Sequence, residues 1–151
     1  MIVGVISDTH GLLRPQAIDA LRGVEHILHA GDVGDAAILD QLAQLAPVTA
    51  VRGNIDRSGP CAKLPPAELI ELAGVSIYML HDVHRLDLDP VAAGIQVVIS
   101  GHSHQPLIET KKGVLYFNPG SAGPRRFSLP VSLGRLEIDT EKIQPKLLTI
   151  L

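Results

Sequence analysis

Aromatic residues are scarce in this 151-residue chain, at 3%, and tryptophan is absent. Proteins that read exposed bases stack them on aromatic platforms, so that mode of nucleic-acid binding is disfavoured. Cys61 is the only cysteine, which excludes an intramolecular disulfide and a thiolate metal cluster. Lysines and arginines are scattered, the densest groups being Lys111-Lys112 and Arg125-Arg126, and the formal net charge is −3. Stable binding to nucleic acid or to an anionic membrane through a basic surface is therefore not expected. No apolar run approaches the roughly 20 residues that span a bilayer. The opening MIVGVISD lacks the basic region, long apolar stretch and cleavage site of a secretion signal, and a cytoplasmic location is expected. Catalytic signatures are missing too: there is no G-x-S-x-G elbow, no Walker phosphate loop, and no G-x-G-x-x-G after the first apolar run.

What is present is a foldable chain. Hydrophobic residues make up 46% and charged residues 19%, a globular balance in which Val, Ile, Leu and Ala must fill the core. The length suits one domain, residues 1–151. Ile2 to Ile6 is a short β-branched run of the kind buried on both faces of a parallel sheet. Pro15 then opens a helix carrying Ala17, Ile18, Ala20 and Leu21. His26 to Ala30 reads as a second strand, and Asp35 caps a helix with Ile38, Leu39, Leu42, Ala43 and Leu45. Val48 to Val51 is a third strand. This alternation predicts α/β architecture with parallel neighbours. The second half differs. A proline-rich loop spans 57–66, and Ala67–Leu72 and Val75–Leu80 flank a turn at Ala73-Gly74. A short helix is expected over Pro90–Ala93, and strands over Gln96–Ser100, Leu107–Glu109, Val114–Asn118, Val131–Ile138 and Lys146–Ile150. Two packed sheets with helices outside account for both halves, and the late hairpins offer an edge for homo-oligomer formation.

The polar residues are placed with a pattern. Apolar runs end in Ser7-Asp8-Thr9-His10, His29-Ala30-Gly31-Asp32, Gly53-Asn54-Ile55-Asp56, His81-Asp82 and Gly101-His102-Ser103-His104. Sites in open α/β sheets lie beyond the carboxyl ends of strands, so these ends converge. Singly, each residue is also an ordinary turn or cap. Together Asp8, His10, Asp32, Asn54, His81, His102 and His104 supply seven oxygen and nitrogen donors. That is too many for one tetrahedral ion and suits two ions sharing a carboxylate. Such a pair acidifies a bridging water and neutralises phosphate oxygens, which predicts phosphoester hydrolysis by a metal-bridging hydroxide. Gly31, Gly53 and Gly101 precede candidate ligands and allow close backbone approach.

These motifs, D-x-H, G-D, G-N-x-D, a strand-terminal His and G-H-x-H, resemble in order and spacing the calcineurin-like metallophosphoesterase superfamily. The stretch NPGSAGPR, Asn118 to Arg125, is similar to that of its small YfcE-type phosphodiesterases. The resemblance implies a four-layer αββα sandwich with two mixed sheets flanked by helices. It implies Asp8, His10 and His104 around one divalent ion, Asn54, His81 and His102 around another, and Asp32 between them. Manganese is the favoured metal, with iron, zinc or nickel also compatible. Asp32, Asn54 and His102 fall at the reacting centre, and Asn54 and Arg125 at the phosphate of a small phosphoester substrate.

Two positions depart from that pattern. Where relatives often read His-Gly-His, this chain reads His81-Asp82-Val83-His84. Where many carry a histidine after the motif Asn, it has Ile55, which cannot donate a proton to a departing alkoxide. Phosphodiesters are therefore favoured, with phosphomonoester hydrolysis and a protein-interaction scaffold as the competing readings. Asp56 is read equally as a turn cap or as a residue orienting a ligand. His29 is expected to support the strand, His26 to lie at the surface or in the core, and His84 in a solvated loop. Asn118 and Ser121 stabilise their loop or line the pocket, Arg126 shares the surface with Arg125, and Cys61 is a loop thiol.

Overall fold

The computed structural model describes every residue except Glu141. Its strands are β1 (Ile2–Ile6), β2 (His26–His29), β3 (Val48–Ala50), β4 (Ala67–Leu72), β5 (Val75–Leu80), β6 (Val97–Ile99), β7 (Leu107–Lys111), β8 (Val114–Asn118), β9 (Ser132–Asp139) and β10 (Lys142–Thr149). The α-helices are α1 (Pro15–Ala20) and α2 (Ala36–Ala43). One sheet runs β10-β9-β1-β2-β3, and the other β4-β5-β6-β8-β7. In the first, β1, β2 and β3 are parallel, and β9 returns antiparallel to β1. In the second, β5, β6 and β8 are parallel, with antiparallel β4 and β7 at the edges.

The period-2 direction of strand side chains explains the layering. Val3 and Val5 of β1 and Leu28 of β2 face the second sheet, meeting Ile77, Met79, Val97, Ile99 and Phe117 in an aliphatic core. Ile6 and Ile27 point the other way, onto Ala17 of α1, Leu21 at its C-terminal cap, and Ile38 and Leu42 of α2. Gly4 faces that side as well, where a Cβ would run into Leu21. Pro15 occupies the first turn of α1, and the Asp35 carboxylate accepts the Ala37 amide 2.9 Å away at the start of α2.

The fourth layer is thinner than expected. The outer face of the second sheet carries Leu80, Val98 and Val114, covered by Val83, Leu86, Leu88 and Ile95. This cover holds a 3-10 turn at Val83–Arg85 and no α-helix. The helix expected over Pro90–Ala93 is instead a hydrogen-bonded turn in which the Ile95 amide reaches the Pro90 carbonyl at 2.9 Å. Asp89 and Gly94 bracket too few residues to nucleate a helix. The 57–66 loop likewise contains a 3-10 turn, Pro60–Lys63, which buries Cys61 in the helix-side core rather than leaving it in a loop. Strand β10 starts at Lys142, four residues before the expected strand, and takes Pro145 because it is an edge. Strand β7 is the opposite edge of the other sheet and is exposed along its length. Among the described residues no helix is long and apolar enough to cross a membrane.

Candidate active site

The parallel strands β1, β2, β3, β5 and β6 all point their carboxyl ends the same way across the two sheets, and the polar clusters gather there. Asp8, Asp32, His81 and His104 are buried, whereas Asn54 and His102 are exposed at the mouth of a cleft. The structure therefore brings together all seven residues singled out from the sequence, in two adjoining groups.

In the deeper group, Asp8 Oδ1 lies 3.2 Å from His104 Nε2 and 3.5 Å from His10 Nε2. In the other, His81 Nε2 lies 3.0 Å from Asn54 Oδ1 and 3.2 Å from Asp32 Oδ2, and His102 Nδ1 is 3.2 Å from the same Asn54 oxygen. Asp32 Oδ2 also lies 3.5 Å from His10 Nε2, so one carboxylate oxygen faces both groups.

The protons in this cluster are revealing. His81 Nδ1 lies 2.7 Å from the Ala30 carbonyl, to which it must donate. In the neutral ring, Nε2 is then a lone pair aimed at the oxygens of Asp32 and Asn54. Asp8 Oδ1, His10 Nε2 and His104 Nδ1 are buried with no hydrogen-bond partner. Acceptors facing acceptors, as His81 Nε2 faces Asn54 Oδ1 and Asp32 Oδ2, require a proton or a cation between them. The donor set, imidazoles and carboxylates with one amide oxygen, fits a pair of divalent ions.

Electrostatics agrees with that need. Burial alone would raise the Asp8 carboxyl, but His10, His104, the Ser7 hydroxyl and the charge on His81 hold it well below the usual carboxylate range. Burial likewise acts to raise Asp32, and the His81 ring and the Ile55 amide lower it on balance. Burial pulls His81 down, yet Asp32, Asp8 and the Ala30 carbonyl leave it raised. The oxygens that attract a proton to His81 are those that would attract a cation.

The backbone is bent to reach this arrangement. Asp8, His10, Asp32, His102 and His104 all have φ between 47° and 70°. That left-handed region costs an L-residue about 1–2 kcal/mol, and such strain persists where surrounding structure enforces it. The glycines work by close approach. A Cβ on Gly53 would strike Asp32, and one on Gly101 would strike Ser7 and Asp8.

Four buried polar residues brace the loops. Asp56 Oδ2 accepts the amides of Gly53 at 2.9 Å and Val33 at 3.2 Å, and its Oδ1 accepts Gly34 at 3.1 Å. It clamps the loop bearing Asp32 to the loop bearing Asn54. His29 Nδ1 accepts the Gly31 amide at 3.1 Å, so its Nε2–H donates to Thr9 Oγ1 at 3.0 Å. Asn118 donates to the Gly101 carbonyl at 2.9 Å and to Ser103 Oγ at 3.2 Å, and Ser121 Oγ donates to the Asp8 carbonyl. His26 is partly buried against Thr49, and His84 is exposed.

Burial pushes the His29 imidazole down to about 4. A folded-state value below the unfolded 6.5 means that stability falls as pH drops from about 6.5 to about 4, by about 3 kcal/mol in all. The raised His81 acts in the other direction and fades only above the unfolded value. In metal-free protein, His29→Asn should therefore flatten the decline in denaturation midpoint between pH 6.5 and 4.5. An unchanged acid slope in the variant would contradict this.

The sequence did not point to every residue at the cleft. Arg125 was expected at the phosphate, but its guanidinium donates to the Leu151 carbonyl at 3.1 Å, and neither it nor Arg126 lines the cleft. The arginines that do are Arg52, Arg57 and Arg85. Arg52 and Arg57 flank the G-N-I-D motif in V-R-G-N-I-D-R, which was the available signal. Asp82 caps the 3-10 turn through the His84 amide at 3.0 Å and turns Oδ2 toward His102 Nε2, 3.9 Å away. Ile55 donates its amide to Asp32 Oδ1 at 3.0 Å and exposes its side chain.

Two mixed sheets with imidazoles and carboxylates at the joined strand ends are the architecture of a metal-dependent phosphoesterase. The chain belongs to the calcineurin-like phosphoesterase superfamily, whose domain it matches over residues 1–141. It is 39% identical over 160 residues to a probable metallophosphoesterase of Methanothermobacter thermautotrophicus, spanning 98% of this chain and 92% of the relative. The phosphodiesterase YfcE of Escherichia coli is 28% identical over 158 residues, spanning 88% and 85%. A solved structure of that phosphoesterase covers both chains fully with a TM-score of 0.70 and 23% identity. The fold is shared equally with Entamoeba histolytica Vps29 solved with zinc, at a TM-score of 0.76 and 23% identity over both full chains.

Proposed function

We propose that this protein hydrolyses phosphodiesters with two divalent cations. Asp8, His10 and His104 would hold one, Asn54, His81 and His102 the other, with Asp32 shared. One observation carries this reading: two adjoining groups of acceptor atoms, with a single Asp32 oxygen 3.5 Å from His10 and 3.2 Å from His81. Asp8 Oδ1 also faces both, at 3.5 Å from His10 and 3.9 Å from His81. Manganese suits the nitrogen and oxygen set, as do iron, zinc and nickel.

Bound there, the cations would neutralise phosphate oxygens and lower the pKa of an attacking water. The protein's own contribution is orientation. The Ala30 carbonyl fixes the His81 tautomer, so that Nε2 is free to ligate. Asn54 and His102, on the open side, meet a substrate entering the cleft. Ile55 places no proton donor at the rim, which favours esters with good leaving groups and favours diesters over alkyl monoesters.

The test is turnover of bis(p-nitrophenyl) phosphate by chelator-stripped protein reloaded with Mn²⁺, alongside calorimetric titration of the metal. We expect no turnover in the stripped protein, restoration on loading, and two ions per chain. Folded protein that binds the metals yet turns over no ester with Mn²⁺, Fe²⁺, Zn²⁺ or Ni²⁺ would overturn the enzymatic reading and leave a metal-binding scaffold.

A further inference from the structure

The cleft beside the cluster encloses about 860 Å³, far more than a phosphate needs, and three arginines line it. Arg52 and Arg57 come from the β3 exit loop that bears Asn54. Arg85 comes from the 3-10 turn that follows His81, so guanidinium groups stand on two separate segments of the cleft wall. None of the three forms an ion pair with a carboxylate among the described residues.

Two of them are held in place by backbone rather than by acids. Arg57 Nε donates to the Asn54 carbonyl at 2.9 Å, and Arg52 Nη1 donates to the Ala62 carbonyl at 3.1 Å. Each keeps further N–H donors free, because a guanidinium has five. Of the three acidic groups on the same walls, two are engaged and the third, Asp87, is a solvated lining carboxylate. Asp56 accepts three backbone amides, Asp82 caps its turn and faces His102, and Asp87 is exposed. Free guanidinium donors on fixed stems match a phosphate, which they bind by paired, charge-assisted hydrogen bonds.

We infer that Arg52, Arg57 and Arg85 form a subsite for a second phosphate, and that the substrates are phosphodiesters carrying a phosphomonoester away from the scissile bond. This rests on the phosphodiesterase reading above and names the substrate class for the same site. The geometry is consistent with it: Asn54 sits at the junction, exposing its side chain toward the cluster while its carbonyl holds Arg57.

A matched pair of esters tests it: p-nitrophenyl thymidine 5′-phosphate and the same ester bearing a 3′-phosphate. With Mn²⁺-loaded protein, kcat/KM should be about tenfold higher for the 3′-phosphorylated ester, mainly through KM, as expected for one charge-assisted contact pair. Arg85→Gln and Arg52→Gln should each bring that ratio toward one. Calorimetry on the products provides a reading independent of turnover. Thymidine 3′,5′-bisphosphate should bind about tenfold more tightly than thymidine 5′-monophosphate, with the difference shrinking in Arg85→Gln and at high salt. Equal affinities for the two products would overturn the subsite whether or not the esters are hydrolysed. Failure to turn over either ester or bis(p-nitrophenyl) phosphate, with the affinity difference intact, would instead count against the enzymatic reading and leave the subsite standing.

Discussion

Asp8→Asn should lower bis(p-nitrophenyl) phosphate turnover about a thousandfold or more, roughly 4 kcal/mol of transition-state stabilisation, and reduce bound Mn²⁺ below two ions per chain. The reason lies in where its two oxygens go. Oδ2 is occupied, accepting the Ser7 hydroxyl at 2.6 Å and the His102 amide at 3.1 Å. Oδ1 is buried without a hydrogen-bond partner and faces His104, His10 and His81. An amide can supply the first role but not the negative charge of the second. Because the fold favours the ionised Asp8 carboxylate, the metal-free variant should also melt below metal-free parent protein, so turnover and metal content are compared at a temperature where both remain folded. Activity and stability are thereby separated. A variant that keeps a tenth of parental turnover and two tight ions would show that Asp8 is not a ligand.

Asp56→Ala is expected to have the largest effect on stability. Three amides on two loops lose their acceptor, and an unsatisfied buried donor costs about 1–3 kcal/mol. Water reaching the partly exposed Gly34 amide softens this, so about 3–5 kcal/mol is expected. For a domain of this size that is roughly a 10–15 °C fall in melting temperature. Asp56→Asn keeps one acceptor oxygen and should fall by about half as much. Turnover should drop in both even at temperatures where they remain folded, because the clamp registers Asp32 against Asn54. A melting temperature within about 2 °C of the parent for Asp56→Ala would refute the clamp.

Both predictions turn on residues that look alike in the sequence, each an aspartate near a strand end. Asp8 stood out because D-x-H is one of several motifs in register. Asp56 could be read either as a cap or as an orienting residue, because the partners that decide between these, Val33 and Gly34, are more than twenty residues away. His29, expected to support its strand, also owes its long-range partner to the fold. Its bond to Gly31 is local, but its burial and its bond to Thr9 follow from β1 and β2 being neighbours, which no local pattern states. Arg125 failed in the other direction. A paired arginine near the motif stretch was a reasonable phosphate ligand, yet the chain turns it toward Leu151, and the cleft arginines come from β3 and the 83–85 turn.

Local sequence was enough to place the strands approximately, with their α/β order, the class of site and the residue types at each strand tip. Those are short-range properties, set by hydrophobic period, β-branching and glycine placement within a few residues. Where the outer layer is weakest, local signals misled: the Pro90–Ala93 segment has helix-like spacing but too little length to propagate. Which donors face one another, which carboxylates lie between the two groups, and which arginines border the cleft follow from the tertiary structure alone. Those depend on the pairing and packing of two sheets, where contacts tens of residues apart override what each side chain would do in its own loop.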